Sequence, residues 1–301
     1  MKIKKYDKKY IDSFVKLIDE SFNIKNKNKK ELVEWKFHTE KFFHKNRIIC
    51  AYKNDKIVGQ YSNITYEFIK KNFIIKGYIC QDMCILKDYR GQGLISKMSK
   101  KLYSNIEEKT FTIGFSNKHG VKVDKNSKGY GYNIIDNLVS FYFPTLLNSD
   151  GYNFEEINNS SQIEKIDFNN FNFFDDLLKI NKTEEFIKWR YFDNPNSNYN
   201  FYIIKFNNQI IGYYIFRIQN KIAILFDFDC KKGINKKKFI STFKNISIKK
   251  KCLIFKIILL ENIFWNNLFK GFFKLKKNEE IYFTLKNHNK LVGKSKFSAL
   301  P

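Results

Sequence analysis

Two glycines and an arginine stand at the junction between a strand-like run and a helix-like run. The segment Arg90-Gly91-Gln92-Gly93 follows the apolar stretch 79–86 and precedes the amphipathic stretch 94–106. Glycine allows a sharp turn and a close approach of the backbone to a ligand. A helix N-terminus presents unpaired N–H groups and a partial positive charge, and together these bind phosphate. The segment therefore predicts a cradle for a pyrophosphate group.

Two common phosphate-binding patterns are absent from this segment. A P-loop requires GxxxxGK[ST], and the dinucleotide fingerprint requires a third glycine where Ser96 stands. The segment instead resembles the acyl-CoA loop of the GCN5-related N-acetyltransferase (GNAT) superfamily, whose pattern is [RQ]xxGx[GA]. Arg90 and Gly93 match this pattern, and Ile95 replaces its last small residue. The resemblance implies an α/β fold that binds acyl-CoA.

The elements around this loop follow the order that the GNAT resemblance implies. Apolar spacing and turn residues predict a helix over 10–22, a β-hairpin over 47–64, and strands over 73–86 and 110–115. Gly131-Tyr132 then resembles the start of the next GNAT strand. The first half of the chain therefore matches the expected alternation of strands and helices.

The second half of the chain repeats the first. Trp35 and its neighbours are echoed around Trp189, 154 residues further on, and the turn before Gly59 is echoed before Gly212, 153 residues further on. Two echoes at nearly one offset indicate a duplicated unit. Both tryptophans lie in aromatic helical runs, which favours a role in core packing.

The repeated unit lacks the phosphate-binding segment. No RGxG sequence follows the strand-like run 222–228. We therefore predict two GNAT-like α/β domains, each a mixed β-sheet flanked by helices. Residues 1–147 would form the domain that binds acyl-CoA, and residues 148–301 would form a degenerate copy.

The GNAT resemblance assigns residues to the CoA arm and to its phosphates. Backbone groups of the strand before the loop would pair with the arm, and those of the loop and first helical turn would hold the pyrophosphate. Asn117, at the end of the next strand, would contact the arm, cap the following helix, or do both. The predicted cofactor-binding residues are Met83, Cys84, Ile85, Arg90, Gly91, Gln92, Gly93, Leu94, Ile95, Ser96 and Asn117.

Attack of an amine on a thioester needs a base for the ammonium and an acid for the departing thiolate. Asp82 is the first candidate for the base, although it could simply be a strand-end carboxylate bound to a lysine. His119 is the second candidate. Many family members carry a tyrosine about four residues before the next strand, where this chain has Ser127. Tyr130 is therefore the candidate acid, unless the thiolate leaves unassisted.

The composition limits the classes of function. The five cysteines form no CxxC pair and the four histidines show no metal spacing, so we expect neither a metal nor a disulfide framework. No signal-peptide pattern and no long apolar run occur, so we expect a cytoplasmic chain without a membrane span. The net charge of +25 fits a compositional bias with lysines on solvated faces, and we expect nucleic acid not to be a partner.

These features predict an N-acyltransferase with acetyl-CoA as co-substrate and a small-molecule amine as acceptor. The segment 184–195 resembles one found in tandem-GNAT proteins linked to surface-sugar biosynthesis, which favours an amino sugar or sugar nucleotide. One alternative is a Fem-type aminoacyl transferase, which has tandem GNAT folds and uses charged tRNA without a CoA cradle. Another is a non-catalytic CoA-sensing or nucleic-acid-binding protein. The acceptor, the acyl length and the oligomeric state stay open.

Overall fold

A computed structural model describes most of the chain. The described residues are 1–23, 29–38, 47–71, 73–104, 106, 110–124, 131–147, 149–172, 177–196, 198–261 and 275–288.

The described strands all belong to one mixed sheet. They are β1 (Lys2–Lys5), β2 (Arg47–Lys53), β3 (Lys56–Lys70), β4 (Phe73–Ile85), β5 (Thr110–Asn117), β6 (Asn133–Pro144), β7 (Asn153–Ile157), β8 (Lys179–Ile180), β9 (Tyr199–Phe206), β10 (Gln209–Gln219), β11 (Ile222–Cys230), β12 (Ile254–Leu260) and β13 (Leu275–His288).

Helices flank this sheet. Those described are α1 (Ile11–Phe22), α2 (Lys29–Phe37), α3 (Leu94–Tyr103), α4 (Lys118–Asp124), α5 (Glu184–Ile187), which continues as a π-helical turn to Phe192, and α6 (Lys236–Lys249). The predicted α/β class, with a mixed sheet and flanking helices, is confirmed. None of the described helices is long and apolar enough to cross a membrane.

The strand order is symmetric about the centre of the sheet: when each strand of one half is matched to a strand of the other, both ends give the same order. The order is β1-β2-β3-β4-β5-β13-β6-β12-β11-β10-β9-β7, with β8 paired to β3 off this path. Matching β1 to β7, β2 to β9, β3 to β10, β4 to β11, β5 to β12 and β6 to β13 leaves that order unchanged. The duplicated unit seen in the sequence is therefore built around a pseudo-twofold axis.

The two halves exchange their last strands at this axis. β13 lies between β5 and β6, and β6 lies between β13 and β12. The β5–β13 ladder is antiparallel and runs from the pair Asn117–Ile281 to the pair Thr110–His288. Residues 1–147 by themselves would leave β5 without this neighbour. The boundary at residue 147 therefore remains a prediction about sequence units, since the sheet itself is continuous across both.

The two hairpins show why the echoed turns have their residue types. Asn54 and Asp55 have φ values of 48° and 58°, and Asn207 and Asn208 have 47° and 60°. Two successive residues with positive φ form the turn whose twist matches a tight β-hairpin, and Asn and Asp tolerate this conformation best after glycine. The predicted hairpin at 47–64 is confirmed, with its second strand extended to Lys70.

A reciprocal pair of tryptophans joins the halves near the axis. The Trp35 indole N–H donates to the Trp189 carbonyl at 2.8 Å, and the Trp189 indole N–H donates to the Trp35 carbonyl at 3.2 Å. The two rings stack with centroids 4.9 Å apart. The sequence echo thus marks two residues in direct contact, which spacing alone did not predict.

Two layers of helices cover opposite faces of the first-half strands. Helix α3 packs on β2 and β3 through Leu94, Met98 and Leu102, in a small core that also contains Tyr61 and Tyr132. Helices α1 and α2 pack on the other face, in a larger core that continues into the second half. The amphipathic character of α1 and α3 therefore fixes which face of the sheet each covers.

We predict that the tryptophan pair is energetically coupled. Trp35→Phe and Trp189→Phe each remove one indole N–H bond and part of the stacked area, so each should lower the free energy of unfolding by about 1–2 kcal/mol. Denaturant unfolding of both single variants and of the double variant measures the coupling. A double variant whose loss equals the sum of the single losses would show that the halves do not communicate through this contact.

We predict that His288 makes the fold acid-sensitive. Burial, with added repulsion from Lys286 and Arg47, lowers the pKa of His288 to about 4, while its Nε2 lies 2.9 Å from Thr112 Oγ1. The unfolded chain binds this proton near pH 6.5 and the folded chain only near pH 4. The free energy of unfolding should therefore fall by up to about 3 kcal/mol between these values.

The substitution His288→Asn should remove this contribution to the fall in the free energy of unfolding. Denaturant unfolding at several pH values from 7.5 to 4 measures it. The matched control is His119→Asn, because His119 is exposed and its replacement should leave the pH dependence unchanged. An identical pH dependence in the wild type and His288→Asn would contradict the assignment.

Candidate active site

Strands β4 and β5 separate part-way along their length. They pair in parallel only from Gly77–Phe111 to Ile79–Ile113, although both strands continue beyond these residues. The opening between them is a cavity of about 720 Å³ lined by residues 80–85 of β4 and 114–117 of β5. The edge of β4 beyond Ile79 therefore faces the cavity and is not paired with β5.

A β-bulge in β4 lies at the centre of this opening. In the β3–β4 ladder, Gln60 pairs with Cys84 and Ser62 pairs with Gln81. Asp82 and Met83 lie between these pairs and form the bulge in β4. Asp82 has a φ of 49°, a strained conformation for a residue with a side chain. The Gln60 amide donates to the Asp82 carbonyl, and the Ser62 hydroxyl donates to the Gln81 carbonyl at 2.5 Å. These two buried side chains hold the bulge.

The turn after β4 has the conformation that its glycines permit. Gly91 and Gly93 have φ values of 79° and 67°, and a Cβ atom added to either would meet no atom within 4 Å. The Arg90 Nε–H donates to the Ile85 carbonyl at 3.1 Å and fixes the start of the turn. The glycines are thus required for backbone conformation, and the space beside them is open.

Helix α3 begins directly at this turn. Gly93 is its N-cap residue, and the Lys97 N–H donates to the Gly93 carbonyl at 3.1 Å. The helical ladder thus begins at Lys97, and the N–H groups of Leu94 and Ile95 precede it at the helix terminus, where an anion would find donors. No acidic residue lies in the first turn of α3, so the partial positive charge of the helix terminus is not neutralised there.

Most predicted cofactor-binding residues line this one cavity. Ten of the eleven do so: Met83, Cys84, Ile85, Arg90, Gly91, Gly93, Leu94, Ile95, Ser96 and Asn117. Gln92 lies in the same turn but is not part of the lining. The sequence prediction therefore selected residues that are brought together, and their binding role remains a prediction.

The predicted base is also in the cavity and has a cationic partner. Asp82 Oδ2 lies 2.5 Å from Lys36 Nζ, an ion pair between the bulge and α2. The lysine-bound carboxylate weighed in the sequence analysis is therefore present, and it faces the ligand cavity as well. The other predicted base, His119, lines the same cavity from α4 with an exposed side chain. Tyr130, the predicted acid, lies outside the described residues.

Asn117 performs the capping role considered for it. Its Oδ1 accepts the Gly120 N–H at 2.9 Å, as an N-cap side chain does at the start of α4. The same residue lines the cavity. Its amide nitrogen is thus the part of the side chain left for a ligand.

A cavity-lining tyrosine was missed in the sequence. Tyr132 belongs to a chain of phenols in which Tyr103 Oη lies 2.7 Å from Tyr132 Oη and 3.1 Å from Tyr61 Oη. Tyr132 and Tyr61 line the cavity, and burial raises the pKa of Tyr132 well above its ordinary value. Tyr132 thus stays protonated at neutral pH. The family spacing disfavoured it, because the family tyrosine stands about four residues before the dipeptide Gly131-Tyr132, and Tyr132 belongs to that dipeptide.

Other lining residues come from parts of the chain that no local motif marks. Ser21 and Phe22 at the end of α1 contribute to one wall, and Thr284 of β13 contributes to another. The Thr284 hydroxyl donates to the Gly114 carbonyl at 3.2 Å. The exchanged strand therefore supplies part of the first-half cavity.

Two cysteines line this cavity, Cys80 and Cys84, and the second of them is chemically unreactive. Cys84 is buried, and burial raises the pKa of its thiol to about 12. A protonated thiol is a poor nucleophile. Among the described residues, no group of three or more His, Cys, Asp or Glu side chains is placed to hold a metal ion.

A second cavity adjoins the first and lies between the two halves. It has a volume of about 540 Å³ and shares Phe22, Cys80, Gln81, Asp82 and Phe115 with the first cavity. Its remaining walls combine side chains of α1, α2 and β3 with others from the second half. The second-half contributors are Ile180, Phe186 and Arg190. Asp82 is thus the carboxylate common to both spaces.

The helix of the second half that corresponds to α3 packs on the sheet through aromatic side chains. Tyr214 packs against Phe239 and Phe243 with ring centroids 4.6 and 4.9 Å apart, and its hydroxyl donates to the Phe239 carbonyl. The loop before α6 contains one glycine, Gly233, and an Asn235 side-chain cap. The second half therefore keeps the scaffold, with a single glycine in the turn where the first half has two.

Comparison with known proteins agrees with this geometry. Residues 2–119 match the family model of the acetyltransferase (GNAT) domain. The chain carries a GNAT domain. The match covers both strands that separate, the glycine turn and α3, so the resemblance noted on Arg90 and Gly93 is confirmed at the level of the superfamily. No curated protein matches the sequence.

Solved structures extend the likeness across the whole chain. An Enterococcus faecalis V583 protein described as a "Probable N-Acyltransferase" aligns with a TM-score of 0.70 at 11% identity, over 95% of this chain and 72% of that one. A GCN5-related N-acetyltransferase from Anabaena variabilis aligns with 0.66 at 12%, over 96% and 73%. Saccharomyces cerevisiae N-myristoyltransferase, solved with bound myristoyl-CoA, aligns with 0.56 at 11%, over 95% and 78%. At these identities the likeness is one of fold.

We predict that Gly93→Asp abolishes tight CoA binding. The change places a side chain and a negative charge beside the open N-terminus of α3, so acetyl-CoA affinity should fall roughly 100-fold, or about 3 kcal/mol. Titration calorimetry measures this. Gly233→Asp is the matched control, because Gly233 has a φ of 86° and open surroundings at the corresponding turn of the second half. Equal effects of the two substitutions would show that phosphate is not bound at Gly93.

Proposed function

We propose that this protein is an acyl-CoA-dependent N-acyltransferase with acetyl-CoA as donor and a small-molecule primary amine as acceptor. The observation that carries the proposal is the opening between β4 and β5, which ends at the Gly91–Gly93 turn and the uncapped start of α3. A slot between two strand edges suits an extended amide-containing arm, and the turn at its end suits pyrophosphate. The donor supplies an activated acyl thioester.

Different residues of the opening are proposed to bind the pantetheine arm and the pyrophosphate. Backbone groups of Met83 and Ile85 pair with the pantetheine arm and polarise the thioester carbonyl, as donors do in an oxyanion hole. Amide groups from Gly91 to Ile95 hold the pyrophosphate. The Asn117 amide nitrogen adds a donor from the opposite strand. No cysteine is needed as a nucleophile, since the buried Cys84 thiol stays protonated.

Asp82 is proposed as the proton acceptor. It lines the donor cavity and the adjoining cavity between the halves, so an amine that enters the second cavity meets the carboxylate before it meets the thioester. Its partner Lys36, 2.5 Å away, holds the carboxylate in position. Asp82 accepts the proton of the ammonium directly or through water and releases it to solvent. The amine nitrogen then bonds to the acyl carbon, its second proton passes to Asp82, and the carbon–sulfur bond breaks.

Tyr132 is proposed as the proton donor for the departing thiolate. Its phenol is protonated and lines the cavity. Its hydroxyl is hydrogen-bonded to that of Tyr103, which in turn is hydrogen-bonded to that of Tyr61. A chain of hydroxyl groups can stabilise the phenolate that remains after proton transfer. This residue takes the role that the sequence analysis gave to Tyr130.

The acceptor is proposed to be an amino sugar or sugar nucleotide. The cavity between the halves, at about 540 Å³, is within the range of small-molecule sites. Its aromatic walls and few polar groups suit a ring that carries an amine. The Fem-type alternative would require acylated tRNA as donor, and the binding-protein alternative would show no turnover, so one donor screen separates all three.

We predict that Asp82→Asn and Tyr132→Phe each lower kcat roughly 10²–10⁴-fold while acetyl-CoA affinity changes little. Release of CoA in the presence of an amine measures the rate, and calorimetry measures the affinity. Asp88→Asn is the matched control, because Asp88 is exposed and lines neither cavity. Full activity of Asp82→Asn at every pH would place the base elsewhere, and His119 would be tested next.

A further inference from the structure

An arginine of the second half lines the cavity that adjoins the predicted thioester site. Arg190 follows Trp189 in the π-helical turn after α5 and reaches the space shared by the two halves. Its guanidinium lies 6.0 Å from the ring centres of Trp35 and Tyr191. Over the residues that the structure describes, it makes no hydrogen bond or ion pair.

The surroundings of Arg190 differ from those of the residue that the pseudo-twofold axis matches to it in the first half. Lys36 occupies the matching position in the first half, directly after Trp35, and it has a carboxylate partner, Asp82, at 2.5 Å. The bulge of β11 carries Asp227 in the region that corresponds to Asp82. The counterpart of a Lys36–Asp82 pair would therefore join Arg190 to Asp227.

Asp227 is committed to other partners. Its Oδ1 is paired with Lys182 and accepts the Tyr213 hydroxyl at 3.3 Å, and its Oδ2 accepts the Tyr191 hydroxyl at 2.8 Å. Asp227 and its lysine are almost completely buried, so this cluster is closed to solvent. Arg190 keeps the cationic position of the repeat, and Asp227 acts on it through space without forming a direct ion pair.

Burial removes part of the hydration of the Arg190 guanidinium, and the nearby tyrosines and the more distant Asp227 carboxylate offset this loss and raise its pKa without bonding to its N–H groups. Aromatic rings at 6.0 Å are at the limit of effective cation–π distance and contribute little by direct contact. The five N–H donors of arginine form a planar fork that matches carboxylate and phosphate oxygens. An anion that accepts hydrogen bonds from this fork is therefore expected from a ligand in the cavity.

The position of Arg190 relative to Asp82 orients such a ligand. Both side chains line the cavity between the halves, and Asp82 also faces the donor cavity. We infer that the acceptor is an amine that also carries an anionic group, with its nitrogen at Asp82 and its carboxylate or phosphate at Arg190. This inference rests on the proposed function for the role of Asp82. It makes the second half the source of acceptor specificity.

Three variants separate this role from a structural one. Arg190→Met keeps the length of the side chain without the charge, and Arg190→Lys keeps the charge without the fork. Arg217→Met is the matched control, because Arg217 also lies over aromatic rings, 3.9 Å from the centre of Tyr199, and lines neither cavity. Arg190→Met should stay folded with at most a small loss of stability, since among the described residues it removes no hydrogen bond and no direct ion pair. Arg217→Met should be less stable, since it loses a close ring contact.

Ligands are compared in matched pairs that differ in the anion. Glucosamine 6-phosphate is compared with glucosamine, and phenylalanine with phenylethylamine, so that the preferred pair distinguishes phosphate from carboxylate. Wild-type protein should favour the anionic member of one pair at least 10-fold, in calorimetric affinity and in kcat/KM with acetyl-CoA. Arg190→Met should lose this preference through KM alone, Arg190→Lys should keep part of it, and Arg217→Met should keep all of it.

The possible failures are distinguishable. Equal binding of both members of each pair by the wild type, or an unchanged preference in Arg190→Met, would overturn the inference. A destabilised Arg190→Met with unchanged ligand preference would assign Arg190 to packing. If acetyl-CoA binds but no amine is acylated, the proposed function fails, and the binding comparison still decides whether Arg190 holds the anion.

Discussion

The exchange of β6 and β13 is the constraint on which the rest of this structure depends. Each half contributes its last strand to a place between strands of the other, so the centre of the sheet has no free edge and neither half closes by itself. Exposed strand edges are prone to pairing with other chains, and here that tendency is satisfied inside one molecule. Thr284, carried by β13, then becomes part of the first-half cavity.

The two halves have the same strand order and differ at the turn that precedes helix α3 in the first half and α6 in the second. In the first, two glycines with positive φ and a bulge at Asp82 keep the space between β4 and β5 open. In the second, Phe239 and Phe243 of α6 pack on Tyr214, and the turn before α6 has one glycine. A duplicated fold thus lets one copy bear the strain of a site while the other contributes stability, as expected when function depends on local side chains.

Asp82 combines an unusual backbone conformation with the side chain proposed as the proton acceptor. A carboxylate at a bulge with positive φ is an energetically costly choice, and Gln60, Ser62 and Lys36 hold it through backbone and side-chain contacts. Strained residues of this kind concentrate at functional sites. The bulge sets Asp82 between two adjoining cavities, one suited to the donor and one shared with the second half. A regular strand would not present a single side chain to both.

The sequence by itself determined the parts that local physics controls. Apolar spacing predicted α1, the Asn54–Asp55 turn predicted its hairpin, and the glycines at 91 and 93 predicted a strand–turn–helix unit, because period and φ preference are properties of neighbouring residues. The echo of Trp35 at Trp189 indicated the duplication.

Only the tertiary structure decided how distant segments meet. The tertiary contacts join residues far apart in the chain: the exchanged strands, the Trp35–Trp189 contact, the Lys36–Asp82 pair, and the approach of Tyr132 and Arg190 to the two cavities. Such contacts depend on strand register and on which face of the sheet each helix covers, and no local pattern of residues specifies these.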